Sequence, residues 1–192
     1  MKLPGLLLLL LLAALPARAD ETAWQALSAG GHVAVLRHAN ARGPMPAPPG
    51  FLPGDCATQR NLDDQGRAEA TAIGQALREH KVKVGGLLSS AWCRCLETAR
   101  LLGLGAPTVE PALNNVHGAL GDEATQFPAL RALVAGWKGR DTLLLVSHGS
   151  TISGALGAFP EQGEILVFAP DAKAEGGFRL VGRIPAPTIV TE

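Results

Sequence analysis

Asp141-Thr142-Leu143-Leu144-Leu145-Val146-Ser147-His148-Gly149 contains the most apolar strand of the chain, and it passes into Ser147-His148-Gly149 without a spacer. Four large aliphatic residues in a row, bounded by polar and turn residues, read as a strand covered on both faces. Two other stretches end in the same way. His32-Val33-Ala34-Val35-Leu36 follows Gly30-Gly31 and runs into Arg37-His38, while Val82 to Leu88 runs into Ser89-Ser90, with Arg94 in the next turn. Helical patterns separate these runs. Asp63 or Asp64 caps a helix in which Ile73 and Leu77 recur four apart, ending near His80. Further helices are predicted over roughly 91–102 with a serine as cap, from Glu123 to Trp137, and from a Ser150 cap to about Ala158. Thr108-Val109 adds a short strand, and Glu164–Phe168 and Phe178–Ile184 a final pair turning at Gly176-Gly177. This alternation predicts an α/β fold, three layers α/β/α around a mostly parallel central sheet.

In such a sheet the C-terminal strand ends share one edge, and ligands bind in the crevice there. Arg37, His38, Arg94 and His148 therefore converge, although they are far apart in sequence. A cation in the first turn of a helix, as at Arg94, opposes the helix dipole; an anion bound at the same place reverses that argument.

The 192 residues suit one domain, and 17 Lys+Arg against 17 Asp+Glu leave no basic excess for coating nucleic acid. An apolar fraction of 47% with 18% charged residues argues against disorder. Part of the apolar fraction belongs to a leader. Lys2 supplies a positive charge, Leu6 to Leu15 is a short apolar run, and Ala17-Arg18-Ala19 offers small residues for cleavage before Asp20. Residues 1–19 thus read as a secretory signal peptide, the run of about ten being short of the roughly 20 needed to span a bilayer. The expected mature domain, 20–192, has 15 basic and 17 acidic residues, no stable membrane anchor, and a periplasmic or secreted location.

Export makes the cysteines interpretable. A disulfide from Cys56 to Cys93 or Cys95 would close a loop of about 40 residues, worth roughly 3–4 kcal/mol. Free buried thiols and a zinc site are the alternatives, although Cys93-Arg94-Cys95 with one distant cysteine is a weak metal pattern. Residues 43–55 hold five prolines and three glycines, and read as a loop after the first strand. His32 and His80 read as structural, and Trp92 as packing.

Four motifs carry a family resemblance. Leu36-Arg37-His38-Ala39 resembles the RHG signature of the histidine phosphatase superfamily, the phosphoglycerate-mutase-like fold. Ser89-Ser90-Ala91-Trp92-Cys93-Arg94-Cys95-Leu96-Glu97-Thr98-Ala99 is similar to its SSxxxRxxxTA element, and Ser147-His148-Gly149 to its SHG. Leu62-Asp63-Asp64-Gln65-Gly66 followed by Glu69-Ala70 is similar to its LxxxGxxQA helix start. All four occur in the family's order.

The resemblance implies an exported phosphatase that hydrolyses phosphate monoesters through a covalent phosphohistidine, with His38 as nucleophile and its other ring nitrogen held protonated by a backbone carbonyl. Arg37 and Arg94 would clamp the phosphoryl oxygens, and His148 with the first amides of the helix at Ser150 would complete the pocket. No metal or other cofactor is implied. Partners would be a phosphorylated small molecule or a phosphorylated glycolipid. Asn40, Arg42, Gln59, Arg60 and His117 are candidates for touching substrate. Two departures stand out: Ala39 replaces the RHG glycine, and Leu113-Asn114-Asn115 offers asparagines where mutase-like members carry a glutamate proton donor. Asp122, Glu123 and Glu164 are the remaining general acid candidates; without one, good leaving groups would be favoured. The alternative is a non-catalytic phosphate- or sugar-phosphate-binding protein on the same fold.

Overall fold

The computed structural model describes residues 21–43, 51–52, 54–117 and 120–189. Residues 1–20, on which the expected signal peptide falls, residues 44–50 and 53 of the Pro-rich loop, 118–119 and the last three residues lie outside it. Strands β1 (Val33–Arg37), β2 (Val84–Ser89), β3 (Thr108–Val109), β4 (Thr142–Ser147), β5 (Ile165–Pro170) and β6 (Phe178–Ile184) form one sheet in the order β3-β2-β4-β1-β5-β6. β3, β2, β4 and β1 are mutually parallel, while β5 runs antiparallel to both β1 and β6. Gly176 and Gly177 turn the chain into β6, both in the left-handed region.

The central strands are buried on both faces, and their side chains alternate between two cores. Ala34, Leu36, Leu144, Val146, Ile165 and Val167 face one side, packed under helices α1 (Glu21–Ala29), α2 (Asp64–Glu79) and α3 (Cys93–Leu101). Val33, Val35, Leu143, Leu145, Leu166 and Phe168 face the other, under α4 (Glu123–Ala135) and α5 (Gly149–Leu156). This is the predicted three-layer, mostly parallel architecture. Helix α1 is an addition: it buries Ala23, Trp24 and Leu27, and Trp24 stacks on the His80 ring at 4.0 Å between centroids. The stack gives His80 the structural role expected of it.

Two predicted caps differ. α5 starts at Gly149 with His148 as its capping residue, so Ser150 lies inside the first turn. α3 starts after Trp92, and Ser90 Oγ accepts from the Trp92 amide at 3.2 Å rather than from the helix itself. The Cys93 amide is instead met by Gln59 Oε1 at 3.0 Å.

α2 and α3 approach closely at Gly74. A Cβ there would sit 2.0 Å from the Leu102 carbonyl oxygen, which also accepts from Arg78 at 2.7 Å. Backbone cannot yield as a flexible side chain does. Gly74→Ala is therefore expected to destabilise the fold by about 2 kcal/mol despite the better helix propensity of alanine, read as a lower urea midpoint at unchanged slope.

Candidate phosphoryl-transfer site

Three strand ends meet at one sheet edge. At the end of β1 the backbone is held from four directions: the Arg37 amide donates to Glu164 O, the His38 amide to Ser147 O, the Ala39 amide to Thr98 Oγ1, and the Gly163 amide bridges the Arg37 and His38 carbonyls. The His38 side chain cannot drift relative to this frame, since its Nδ1 lies 2.8 Å from the Ala39 carbonyl. A carbonyl only accepts, so Nδ1 carries the proton and the lone pair is on Nε2. No described residue bonds Nε2. Burial first, then the positive charges of Arg94, Arg37 and Arg60, hold the His38 imidazole well below its ordinary pKa, against the raising effect of the Ala39 carbonyl. His38 is thus neutral at pH 7, with a free nitrogen lone pair.

The His148 ring stands 5.5 Å from that of His38, edge to face. Arg94 donates to its Nδ1 at 2.9 Å, which places the His148 proton on Nε2, 2.8 Å from Ser90 Oγ. Ser90 donates onward to Asn114 Oδ1 at 3.3 Å, an atom that also accepts from the Ala91 amide. Asn114 thereby occupies a structural position, anchoring the chain that fixes the His148 tautomer. Cys95, the third cysteine, is buried with Sγ 3.4 Å from His148 Nε2, and burial pushes its thiol up to about 12. That keeps it a neutral packing group.

The arginines have unused donors. Arg94 is only 4% exposed, and its Nε has no partner; burial, with Arg60 and Arg37, lowers its pKa to about 10 against the opposing effect of Cys95. Arg37 donates to the Pro160 carbonyl at 2.9 Å and lies over the Phe159 ring, yet its buried Nε is also unpaired. Gly149 makes this packing feasible, because a Cβ there would meet the Phe159 ring at 3.0 Å and Arg37 Cζ at 3.3 Å. Arg60 adds a third positive charge that acts on Arg37, Arg94, His38 and His148 alike; burial lowers its pKa, and no described residue bonds its guanidinium. Three cations around two neutral imidazoles, with buried N–H groups left open, form a site for a compact polyanion.

Of the candidates for substrate contact, Arg60 alone joins this group. Asn40 donates to the Asp63 carboxylate at 3.0 and 3.2 Å, and Asp63 caps α2. Arg42 pairs with the same carboxylate at 3.0 Å and with Gln65, its side chain 75% exposed. Gln59 spans Cys93 and the Leu52 carbonyl. His117 is exposed, and its backbone amide bonds Asn115 Oδ1. The general acid candidates are placed elsewhere as well. Asp122 caps α4 and is exposed, its carboxyl held low by the Thr125 hydroxyl; Glu123 is exposed in the following turn; Glu164 pairs with Arg183 at 3.1 Å and accepts from the Glu161 amide. The carboxylate whose charge reaches Arg37 is Glu161, an exposed residue of the loop before β5. Thr98 and Ser90 lie in the quoted motif and hold the site's backbone and His148, roles their motif positions alone do not reveal.

The cysteine pairing resolves as Cys56–Cys93, with 37 residues of separation. Among the described residues no group of three His, Cys, Asp or Glu side chains is placed to hold a metal ion.

The family description "Histidine phosphatase superfamily (branch 1)" matches residues 51–121, which include Arg60, α2 and the Arg94 helix. No curated protein matches the chain. Solved structures do. A protein histidine phosphatase SixA complexed with tungstate is 20% identical, with 80% of this chain and 96% of that one covered at a TM-score of 0.57. The mycobacterial glucosyl-3-phosphoglycerate phosphatase Rv2419c is 17% identical, covered over 82% and 100% at 0.61. A phosphoserine phosphatase from Entamoeba histolytica, in complex with 3-phosphoglyceric acid, is 13% identical, covered over 81% and 97% at 0.61. At these identities the likeness is one of fold. The chain is thus similar to the histidine phosphatase superfamily in fold, in the match over 51–121, and in the four motifs whose residues His38, His148, Arg37 and Arg94 converge at one sheet edge.

Proposed function

We propose that this chain is an exported phosphatase that hydrolyses phosphate monoesters through a covalent phosphohistidine on His38. The observation that carries the reading is the His38 ring: Nδ1 tied to the Ala39 carbonyl, Nε2 unpaired, and open arginine donors beside it. Nε2 attacks phosphorus in line, the bond to the leaving oxygen breaks, and water then cleaves the P–N bond to release phosphate. Arg37 and Arg94 offset the charge on the equatorial oxygens, as positioning and electrostatics do in phosphoryl transfer generally, and Arg60 adds positive charge that favours binding of the anion. A protein that only bound phosphate would have no use for a nitrogen lone pair among the donors.

Export is supported by the leader-like residues 1–19 and by the Cys56–Cys93 bridge, since disulfides persist in oxidising compartments. The substrate class is a phosphorylated small molecule or a phosphorylated glycolipid; the solved structures named above include a glucosyl-3-phosphoglycerate phosphatase and a phosphoserine phosphatase.

No carboxyl group among the described residues is hydrogen-bonded to His38, His148, Arg37 or Arg94, so the leaving oxygen has no bonded acid beside it. The mature protein is therefore expected to hydrolyse p-nitrophenyl phosphate about a thousandfold faster, in kcat/KM, than a simple alkyl phosphate. Equal values would show that an acid operates, and Glu161→Gln would then be the first variant to assay. Absence of phosphate release from any monoester, with phosphate still bound, would return the chain to a binding role.

A further inference from the structure

We propose that the Cys56–Cys93 disulfide is a positioning element of the phosphate pocket: it holds the segment that carries Arg60 against the helix that carries Arg94. The inference rests on the site being a phosphoryl pocket, and adds to it which covalent link sets one of its three cations.

The segment before Arg60 has little else to fix it. The short 3-10 turn Cys56–Thr58 buries no residue, and Cys56 itself is exposed. Local bonds shape the turn, with Asp55 capping the Ala57 amide and Thr58 bonding Leu52 and Asp55, but these lie within the segment and tie it to nothing outside. The links to the body of the domain converge on the start of α3. Cys56 is bonded to Cys93, Gln59 Oε1 accepts from the Cys93 amide, and Phe51 stacks on Trp92 at 5.1 Å. Cys93 immediately precedes Arg94. Asn61, on the other side of Arg60, donates to the Cys56 carbonyl at 2.7 Å. Arg60 is thus flanked by two residues that both register on the bridge, one on Cys93 and one on Cys56. Its own guanidinium makes no bond to a described residue that would place it. Like charge repels Arg60 from Arg37 and Arg94, so a tether is needed to keep the three together.

A double-mutant cycle tests this. In the bridged protein, Arg60→Ala is expected to raise KM for p-nitrophenyl phosphate and the inhibition constant of inorganic phosphate about tenfold, the scale of one charged hydrogen bond, with kcat much less affected. Cys56→Ser with Cys93→Ser should raise both constants to a similar extent, and adding Arg60→Ala to that pair should raise them no further. The same cycle is run by reducing the exposed bridge of the wild-type and Arg60→Ala proteins with a phosphine, which covers the case of a serine variant that does not fold. A general loosening of the domain would act independently of Arg60, and the effects would then multiply; multiplication, or an unchanged phosphate constant without the bridge, overturns the proposal. If Arg60→Ala has no effect in the bridged protein the proposal also fails, while the phosphatase reading stands or falls separately on His38.

Discussion

His38→Ala is expected to abolish turnover of p-nitrophenyl phosphate, by about 10⁴-fold or more in kcat, while leaving the affinity for inorganic phosphate within about threefold of wild type. The two halves of this expectation come from different atoms. Among the described residues, Nε2 of His38 is the unpaired imidazole lone pair at the strand edge, since Nδ1 is committed to Ala39 and the His148 nitrogens to Arg94 and Ser90. Among the described residues no second side chain is placed to form the covalent bond in its stead: Cys95 is buried, with its thiol pushed up to about 12, and Ser90 is occupied by His148 and Asn114. Phosphate affinity, by contrast, resides in the arginines, which the substitution leaves in place. Acid quenching during turnover should trap an acid-labile phosphoryl group on the wild type and none on the variant. Equal rates for the two proteins would remove His38 from the nucleophile's role.

The depressed pKa of His38 adds a pH dependence of definite sign. The attacking form is the neutral imidazole, and burial with three neighbouring cations keeps it neutral below its ordinary pKa. Activity should therefore persist as pH falls through 6.5, with the acid limb of kcat/KM set by a group titrating well below that value.

The strand ends were legible in the sequence because burial on both faces leaves a simple mark, a continuous apolar run that stops at a polar residue. Val33–Leu36 and Leu143–Val146 carry that mark, and parallel order then brings His38 and His148 together. Helix α1 lacked it: ETAWQALSA is short and has only Ala23, Trp24 and Leu27 to signal its buried face. The peripheral side chains failed for a different reason. Asn40 and Gln59 are polar residues next to motif positions, as substrate ligands would be, but their partners, Asp63 and Cys93, lie 23 and 34 residues away. Nothing local distinguishes a satisfied amide from a free one. Asp122 is the opposite case: an aspartate directly before a helix is a cap signal, and that local bond outweighs a catalytic reading. Glu164 finds Arg183 only through the antiparallel register of β5 on β6, which no sequence pattern specifies. The cysteine choice depended on a helix boundary. Residues two apart in a helix point to different sides, so once α3 begins at Cys93, that cysteine meets the loop and Cys95 turns inward to His148.

Arg94→Gln is expected to lower kcat/KM by about 10³-fold, and to do so without destabilising the unliganded protein. The rate loss follows from removing a buried donor fork whose Nε has no partner among the described residues and so is available to the transferred group. The stability expectation follows from the charges. Arg94 is buried beside Arg37, Arg60 and two neutral imidazoles with no carboxylate bonded to it, so in the absence of an anion its charge is a cost that the fold bears for function. Removing it relieves repulsion, and it also relieves the histidines. Arg94 is the largest charge effect lowering both His38 and His148, so their pKa values should rise toward the ordinary imidazole value, a shift visible in imidazole NMR titration of the free protein. The acid limb of the residual activity should move to higher pH with it. A variant that had merely unfolded the site would show neither the raised pKa values nor an unchanged melting temperature. Added phosphate gives the final discrimination, because it stabilises a folded protein in proportion to its binding. Phosphate should raise the melting temperature of the wild type and leave that of Arg94→Gln almost unmoved, while Arg94→Lys, which keeps the charge but loses the planar fork, should fall between them.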